Sequence, residues 1–467
     1  MARTDPPATP RDEPAGTRDV AIPAPARAAM ERLWSAGHAA YVVGGSLRDE
    51  LIGRPAHDWD LTTDARPDRI VELFPGAVYE NKFGTVDVRI DDLILQVTTF
   101  RSDHDYGDHR RPHHVEFGND IEADLARRDF TVNAIAWGAR GGGDARPAEP
   151  PALVDPFGGE LDVERRLLRA VGDPKKRFEE DALRMIRGVR LAATLEFAIE
   201  PATLAAITEC APLVVHLSGE RIGAELARLL AARTPSIGLR LMADTELLDH
   251  VSPELAAQRG IAQNKVAGED LWDHTLRAVD AAPATRPIVR LAALVHDIGK
   301  PATAADGHFY GHERVGADVA REFLERVHYP RAVIQRVVAL VRQHMFSYED
   351  SWSDTAVRRF IGKVGRDMLD ELFELRMADN AGSGLPPDAG IVDLRRRVAE
   401  QLAADVALDR ADLAIDGDDL IAELGVERGP AIGRILGELL ERVIADPALN
   451  ERPTLMLLAA TLVGDES

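Results

Sequence analysis

Gly44-Gly45-Ser46-Leu47-Arg48-Asp49, followed closely by His57-Asp58-Trp59-Asp60-Leu61, is the stretch on which the reading of this chain turns. In an extended segment, residues i and i+2 point to the same side, so the carboxylates of Asp58 and Asp60 can converge on one spot. Two hard oxygen donors there suit Mg²⁺, which takes one or two carboxylates together with substrate phosphates. The Gly44-Gly45 turn lets backbone N–H groups approach a triphosphate closely, and Arg48 adds a cation beside it. An isolated Asp-x-Asp is common in surface loops. Behind a glycine turn it points to metal-assisted nucleotidyl transfer.

Outward from this stretch, short runs rich in β-branched and aromatic residues alternate with helical patterns. Tyr41–Val43, Val86–Ile90, Leu93–Phe100 and Thr131–Trp137 read as strands, and Ala26 to about Ala36 as a helix, giving a mixed domain. The Gly- and Pro-rich stretch Gly141–Pro151 reads as a surface loop within it. From Leu161 the pattern is almost wholly helical. Asp173-Pro174 sets an N-cap before a proline at the first helical position, and one long helix is expected from there to about Leu195. Helices are also expected over Ser218–Arg233 and Ile237–Leu248, a loop over Asn380–Pro387, and a turn at Gly425–Gly433 in a helical last part. The fold class is α+β.

At 467 residues the chain has room for about three or four domains. Apolar residues make up 45% and aromatics only 5%, which suits well-buried helical cores. With 56 basic against 78 acidic residues the formal charge is −22, so any contact with RNA must come from local basic patches. The single cysteine, Cys210, excludes an intramolecular disulfide and a cysteine-based zinc cluster, and fits a reducing cytoplasm. No apolar run reaches the length of a membrane span. Met1 to about Pro25 is rich in Pro, Ala, Arg and Asp without the apolar core of a signal peptide, and reads as a disordered tail.

Three further groups bear on the aspartate pair. Arg127-Arg128-Asp129-Phe130-Thr131-Val132-Asn133-Ala134 sets two guanidiniums before an apolar run, and bidentate arginine–phosphate pairing is the strong way to hold a triphosphate. In Glu179-Glu180-Asp181-Ala182-Leu183-Arg184-Met185-Ile186-Arg187-Gly188-Val189-Arg190, Asp181, Arg184, Arg187 and Arg190 recur at helical spacing on one face. A salt-bridged exposed helix would look the same. A carboxylate beside a guanidinium, however, also matches the edge shared by cytosine and adenine, an exocyclic amine next to a ring-nitrogen acceptor. Guanine and uracil mismatch both side chains, and leaving such groups unpaired costs on the order of 1–3 kcal/mol each. The third group, Lys82-Phe83-Gly84-Thr85-Val86 and the polar Arg101–His114, reads as a strand start and a mobile loop beside the site.

Together, GGSLRD…DWD, RRDFTVNA and EDALRMIRGVR resemble the class II CCA-adding enzymes and the related bacterial poly(A) polymerases, over most of the chain from about Val42. The resemblance implies a pol β-like nucleotidyltransferase head followed by all-α neck, HD and tail regions. It implies Gly45 and Arg48 on the triphosphate, and Asp58 and Asp60 as the catalytic residues on magnesium. It places Arg128, Arg187 and Arg190 on the nucleotide, and Asp181 with Arg184 on the incoming base. Many polymerases of this superfold have a third carboxylate on a later strand. Gln96 stands there instead, which leaves the role open, with Asp87 as a candidate.

His274, His296-Asp297, His312, His344 and Asp379 follow in the order of an HD-domain phosphohydrolase, and imidazoles and carboxylates on helices can converge on a further divalent metal. Some CCA-adding enzymes have this domain and others lack it; His308 reads as incidental. Ile415–Leu420 and Gly425–Leu436 resemble the tails that grip tRNA, a glycine-rich turn offering N–H groups to phosphate. The expected division is a tail at 1–25, a head at 26–158, a neck at 159–261, an HD domain at 262–391 and a tRNA-binding tail at 392–467. The expected reaction is template-independent addition of CCA to tRNA from CTP and ATP, with no membrane partner. Addition of poly(A), of CC or of A alone are alternatives, as is an HD phosphohydrolase whose head only binds nucleotide.

Overall fold

The computed structural model describes residues 20–56, 58–79, 84–104, 114–142, 146–263, 266–404 and 406–465. These fall into two compact units. One comprises the chain up to Leu229 with Ile237–Val251, the other Leu230–Ser236 with Ser252 onward.

The first unit is organised by a mixed sheet of seven strands: β1 (Ala40–Val43), β2 (Asp60–Thr63), β3 (Val78–Tyr79), β4 (Thr85–Ile90), β5 (Leu93–Thr99), and, after a separate hairpin β6 (Arg101–His104) and β7 (His114–Phe117), β8 (Ala136–Ala139) and β9 (Ala152–Val154). Their order is β3-β4-β5-β2-β1-β8-β9. β1 is central and buried throughout, as expected of an apolar run covered on both faces. β2 runs antiparallel to β1 and parallel to β5. The helix Ala24–Ser35 packs on this sheet through buried Met30, Leu33 and Trp34, and the Trp34 indole donates to the Ala139 carbonyl at 2.9 Å. Val20 and Ile22 are also buried, so the expected disordered tail does not extend to residue 25.

Two expected elements differ. Thr131–Asn133 is a tight 3₁₀ turn and not the start of a strand, which begins at Ala136. Local side chains hold the turn: Thr131 donates to Asp162 at 2.6 Å, and Asp129 accepts from the Phe130 N–H and the Asn133 amide. Such side-chain bonds compete with strand pairing. The long helix after Asp173 is two, Pro174–Glu180 and Leu183–Leu195. Asp181 between them is extended (φ −148°), and its carboxylate accepts from the Leu183 N–H at 3.1 Å. Asp181 therefore starts the second helix from outside and does not belong to the face of Arg184, Arg187 and Arg190. The outer parts of Arg101–His114 are the paired strands β6 and β7; its centre and Lys82-Phe83 lie outside the described residues.

The second unit is helical among its described residues. Helices Leu271–Ala281, Pro287–Val295, His312–Arg326, Arg331–Gln343 and Leu369–Gly382 pack on one another and bury Leu, Val, Ala and Phe side chains. A separate apolar cluster, with Leu420, Leu439, Val443 and Leu455 at its centre, holds the last helices together. Gly425, at φ 67°, ends the helix Gly417–Leu424, and the next helix begins at Pro430.

Candidate active site and a buried histidine–aspartate cluster

In the first unit the chain leaves β1 through Gly44 (φ 80°) into the short helix Gly45–Leu51. A Cβ on Gly44 would lie 3.2 Å from Arg128 Nη1 and 3.9 Å from Asp60 Oδ2, so glycine both permits the turn and keeps that corner open. Asp60 begins β2, with Asp58 two residues before it. Both line a single cavity of about 660 Å³ together with Gly44, Gly45, Arg48, Arg128, Asp181, Arg184, Arg187 and Arg190. The aspartate pair, the glycine turn, Arg48, Arg128 and the Asp181–Arg190 series thus face one space. Burial pushes the Asp60 carboxyl up to about 6; Arg128 opposes this and Asp58 adds to it. A carboxylate that burial and a like-charged neighbour disfavour is what a bound cation relieves.

The arginines are held from behind. Asp124, fully buried, accepts from Arg127 at 2.7 Å and pairs with Arg128 at 3.3 Å. Burial alone would raise its pKa, but the two arginines outweigh burial and lower it. Asp129 accepts from Arg187 at 2.8 Å and from Asn133 at 3.0 Å; these partners overcome burial and hold its carboxyl well below the usual range. Arg48 pairs with Asp49 at 2.7 Å and donates to Asn133 at 2.5 Å, while Arg190 reaches Glu225 at 2.5 Å. The side chains of Asp181 and Arg184 are not paired with each other, although the Arg184 N–H donates to the Asp181 carbonyl at 3.0 Å. Asp181 binds Arg221 at 2.7 Å, and Arg184 binds Glu180 at 2.6 Å and the Arg127 carbonyl at 2.8 Å.

The sheet register bears on the missing third carboxylate. Asp60 is opposite Gln96, and Gln96 is opposite Asp87. Asp87 is two strands from Asp60, about 10 Å at ordinary strand spacing, and is not among the cavity's lining residues. The geometry does not favour it for that role. Sequence reasoning missed Asp129 and Asn133, which stood there only as neighbours of the arginines, and the ridge Arg221, Glu225, Arg228 on helix Gly219–Leu230. The ridge follows i, i+4, i+7 spacing, indistinguishable in sequence from a solvated helix face. The hydroxyl of Ser46 is buried without a protein partner.

In the second unit, His274 lies on helix Leu271–Ala281 and Asp379 on Leu369–Gly382. His296 and Asp297 follow Pro287–Val295, His312 opens its helix and His344 follows Arg331–Gln343. A Cβ at Gly299 would fall 2.4 Å from both the Gly316 nitrogen and the His312 oxygen, so glycine there lets the turn after Asp297 lie against the His312 helix. All six side chains converge and are buried. His274, His296 and Asp379 form one group of potential metal ligands, and Asp297, His312 and His344 another. Burial would lower the His296 pKa, but Asp297 and Asp379 raise it to about 9; burial and the neighbouring His296 take His344 down to about 3. A cavity of about 600 Å³ adjoins the cluster, lined by Asp297, His312 and Asp379 and by Lys300, Arg376 and Tyr310, none of the last three foreseen. His308, expected to be incidental, lines the same cavity and stacks on Tyr310 at 5.2 Å.

A mixed-sheet head with paired aspartates under a wall of arginines defines a nucleotidyltransferase. Residues 40–169 match the model of the poly A polymerase head domain, 196–259 that of the RNA- and SrmB-binding site of polymerase A, and 314–459 that of tRNA nucleotidyltransferase domain 2. The CCA-adding enzyme of Geobacillus kaustophilus is 34% identical over 89% of this chain and 91% of its own length. That of Streptococcus suis strain 05ZYH33 is 31% identical over 94% and 96%. The chain belongs to the CCA-adding enzyme family. Among solved structures, the Bacillus stearothermophilus CCA-adding enzyme in complex with CTP superposes with a TM-score of 0.68 at 28% identity, covering 95% of this chain and 99% of that one. The Thermotoga maritima CCA-adding enzyme complexed with tRNA_CCA shares the fold, with a TM-score of 0.56 at 19% identity over 94% of each chain. Among the described residues no helix is long and apolar enough to cross a membrane.

Proposed function

We propose that this chain adds C, C and A to the 3′ end of tRNA from CTP and ATP without a nucleic-acid template, in the cytoplasm. The observation that carries the reading is the convergence of Asp58 and Asp60 with Arg128, Arg187 and Arg190 on one cavity. Asp58 and Asp60 would hold Mg²⁺. When bound, that ion supplies activation of the 3′-hydroxyl and stabilisation of the charge on the reacting phosphate. The chain's own part is orientation and charge. Gly44-Gly45 gives the triphosphate room beside the carboxylates, and Arg48, Arg128, Arg187 and Arg190 offer guanidiniums already aimed by Asn133, Asp124, Asp129 and Glu225. At ~4 Å and an effective dielectric of ~20, each opposite-charge contact supplies about 4 kcal/mol before desolvation is subtracted. Asp181 and Arg184 would read the base edge, exchanging part of their present bonding with Arg221 and Glu180 for bonds to cytosine or adenine. The tail helices on either side of the Gly425 turn would contact the tRNA backbone.

Labelled CTP or ATP offered to tRNA ending before the CCA, after C or after CC, with the products sequenced, tests this reading. Growth to CCA followed by arrest supports it. Long A tails would assign a poly(A) polymerase instead, and arrest after CC or addition of A alone a partial enzyme.

For the second unit we propose a divalent metal at the cluster of His274, His296, Asp297, His312, His344 and Asp379, serving phosphohydrolysis in the adjoining cavity. The burial of four imidazoles and two carboxylates around one another supports this, since buried ligand atoms of that kind are ordinarily paired with a cation. Lys300 and Arg376 would face the phosphate. Retention of metal by the full chain after dialysis, and its loss on His274→Ala, tests the metal reading.

A further inference from the structure

We infer that Arg228, at the rim of the head cavity, receives the last phosphodiester of the RNA primer. This rests on the nucleotidyl-transfer reading above and adds to it a side chain for the second substrate.

Helix Gly219–Leu230 contributes Arg221 and Arg228 to the cavity lining. Arg221 is at the base-reading end, where it holds Asp181 at 2.7 Å. Arg228 follows two helical turns later, about 10.5 Å along the axis. Among the described residues, it alone of the arginines lining the cavity is exposed. Its side chain is 63% accessible, against 20% for Arg221 and 14% for Arg190. The helix therefore leads from the half-buried base-reading end to the open mouth.

Charge counting shows what Arg228 has to offer. The buried carboxylate of Glu225 is shared by two guanidiniums: Arg190 Nε donates to Oε2 at 2.5 Å and Arg228 Nη1 to Oε1 at 3.0 Å. One carboxylate between two arginines leaves a positive charge in excess. The same construction recurs at Asp124, shared by Arg127 and Arg128. There Arg128 carries the excess to the corner of Gly44 and Asp60, beside the carboxylates proposed to hold the metal. At Glu225 it is Arg228 that carries it, to the rim.

Nucleotidyl transfer joins two polyanions. With the triphosphate at the Gly44 turn and the base at Asp181, the primer enters from the open side, its 3′-hydroxyl toward Asp58 and Asp60. The phosphodiester behind that hydroxyl is an anion that the triphosphate residues do not serve. In a chain of formal charge −22 it needs a local cation, and a planar guanidinium matches phosphate oxygens. Exposure lets Arg228 turn from Glu225 to the phosphate while Arg190 keeps the buried carboxylate paired. Such a contact positions the strand and reads no base, so it serves each successive addition alike.

The test uses the full chain, CTP, and tRNA lacking its CCA, whose last phosphodiester is either normal or an uncharged methylphosphonate. Arg228→Ala is expected to raise the KM for normal tRNA by about three- to tenfold and to leave the KM for CTP within about twofold. The fall of log kcat/KM with log salt should become shallower by about 0.7, the share of one single-strand phosphate. Arg228→Gln should match Arg228→Ala, which guards against one variant failing to fold, and Arg228→Lys should restore the slope. The methylphosphonate should weaken the parent and leave Arg228→Ala unchanged. An equal methylphosphonate penalty in parent and Arg228→Ala, or a KM effect confined to CTP, overturns the assignment while leaving nucleotidyl transfer in place. A parent that extends no tRNA overturns both.

Discussion

The two cavities set aspartates against different partners, arginines in the head and mostly histidines in the helical unit. In the head, cations face inward and carboxylates stand behind them: Asp124 behind Arg128, Asp129 behind Arg187, Glu225 behind Arg190. In the helical unit, two carboxylates lie among four imidazoles, and backbone carbonyls stand behind His296, His312 and His344. The first arrangement fixes guanidiniums in advance for a polyanion, so less side-chain entropy is lost when it binds. The second holds three of the rings by their Nδ1 atoms and so fixes their orientation within the cluster. Both the side chains and the charge they present separate the proposed nucleotide site from the proposed metal site. At Asp58 and Asp60 the head also gathers carboxylates at its cavity, and there burial outweighs Arg128 and raises the Asp60 pKa.

The largest effect should come from breaking that pair. Asp58→Ala is expected to lower nucleotide addition by about a thousandfold or more, the loss of ~4 kcal/mol of transition-state stabilisation. Phosphohydrolysis by the other unit should be unchanged. Parallel assays of both activities measure it, and loss of both together would show that the two sites are not independent.

Asp60→Asn sharpens the same point through stability. Asp60 has a folded pKa near 6, above its ordinary 3.8, so in the metal-free protein its ionisation opposes folding. The cost appears as pH rises through about 4 and is complete above about 6, where each tenfold difference in proton affinity between the folded and unfolded chain is worth ~1.4 kcal/mol. The metal-free Asp60→Asn variant should therefore be the more stable one at neutral pH, by on the order of 2–3 kcal/mol, with the gain gone below about pH 4. Added Mg²⁺ should stabilise the parent more than the variant. Thermal melts across pH, with and without the ion, measure this; a variant less stable at pH 7 would sink it.

Asp129→Asn should have the opposite sign. Its pKa is held down in the folded state, so its contribution is present above about pH 4 and is lost only as pH falls further. A loss of about 2 kcal/mol is expected at neutral pH, below the usual figure for a fully buried pair because Arg187 is partly exposed. The KM for CTP and ATP should rise as Arg187 loses its support. Denaturant unfolding and steady-state kinetics check the two parts separately.

These contrasts show what could be read in the chain itself. Asp58 and Asp60 were legible because they stand two residues apart shortly after a glycine turn, so nearness in the chain is enough to bring both to one cavity. The strands β1, β4 and β5 were legible from their apolar runs. The break at Asp181 was not, because an aspartate inside a charged helical repeat looks like part of the repeat until its carboxylate is seen capping Leu183. The turn at Thr131–Asn133 depends on Asp162, far along the chain. The ridge of Arg221, Glu225 and Arg228 differs from a solvated face only through what lies opposite it. The order of the histidines suggested a metal, but the placing of Asp297 between His274 and His296 on one side and His312 and His344 on the other exists only in three dimensions.

Arg184→Ala should give the smallest effect and the most specific one. Its guanidinium is held by Glu180 at 2.6 Å, the Arg177 carbonyl at 3.1 Å and the Arg127 carbonyl at 2.8 Å. It has five N–H donors, so it can keep part of this bonding while turning others to a base edge. Arg128 and Arg187, which would hold the triphosphate, have their own carboxylates and do not depend on it. Losing Arg184 should therefore reduce the preference for CTP and ATP over UTP and GTP by about tenfold or somewhat more, one or two hydrogen bonds to a base. Triphosphate binding should change less. The values of kcat/KM for the four nucleotides on one tRNA primer decide it. An equal loss for all four, accompanied by a lower melting temperature, would mean that Arg184 only clamps the two helices that meet at Asp181.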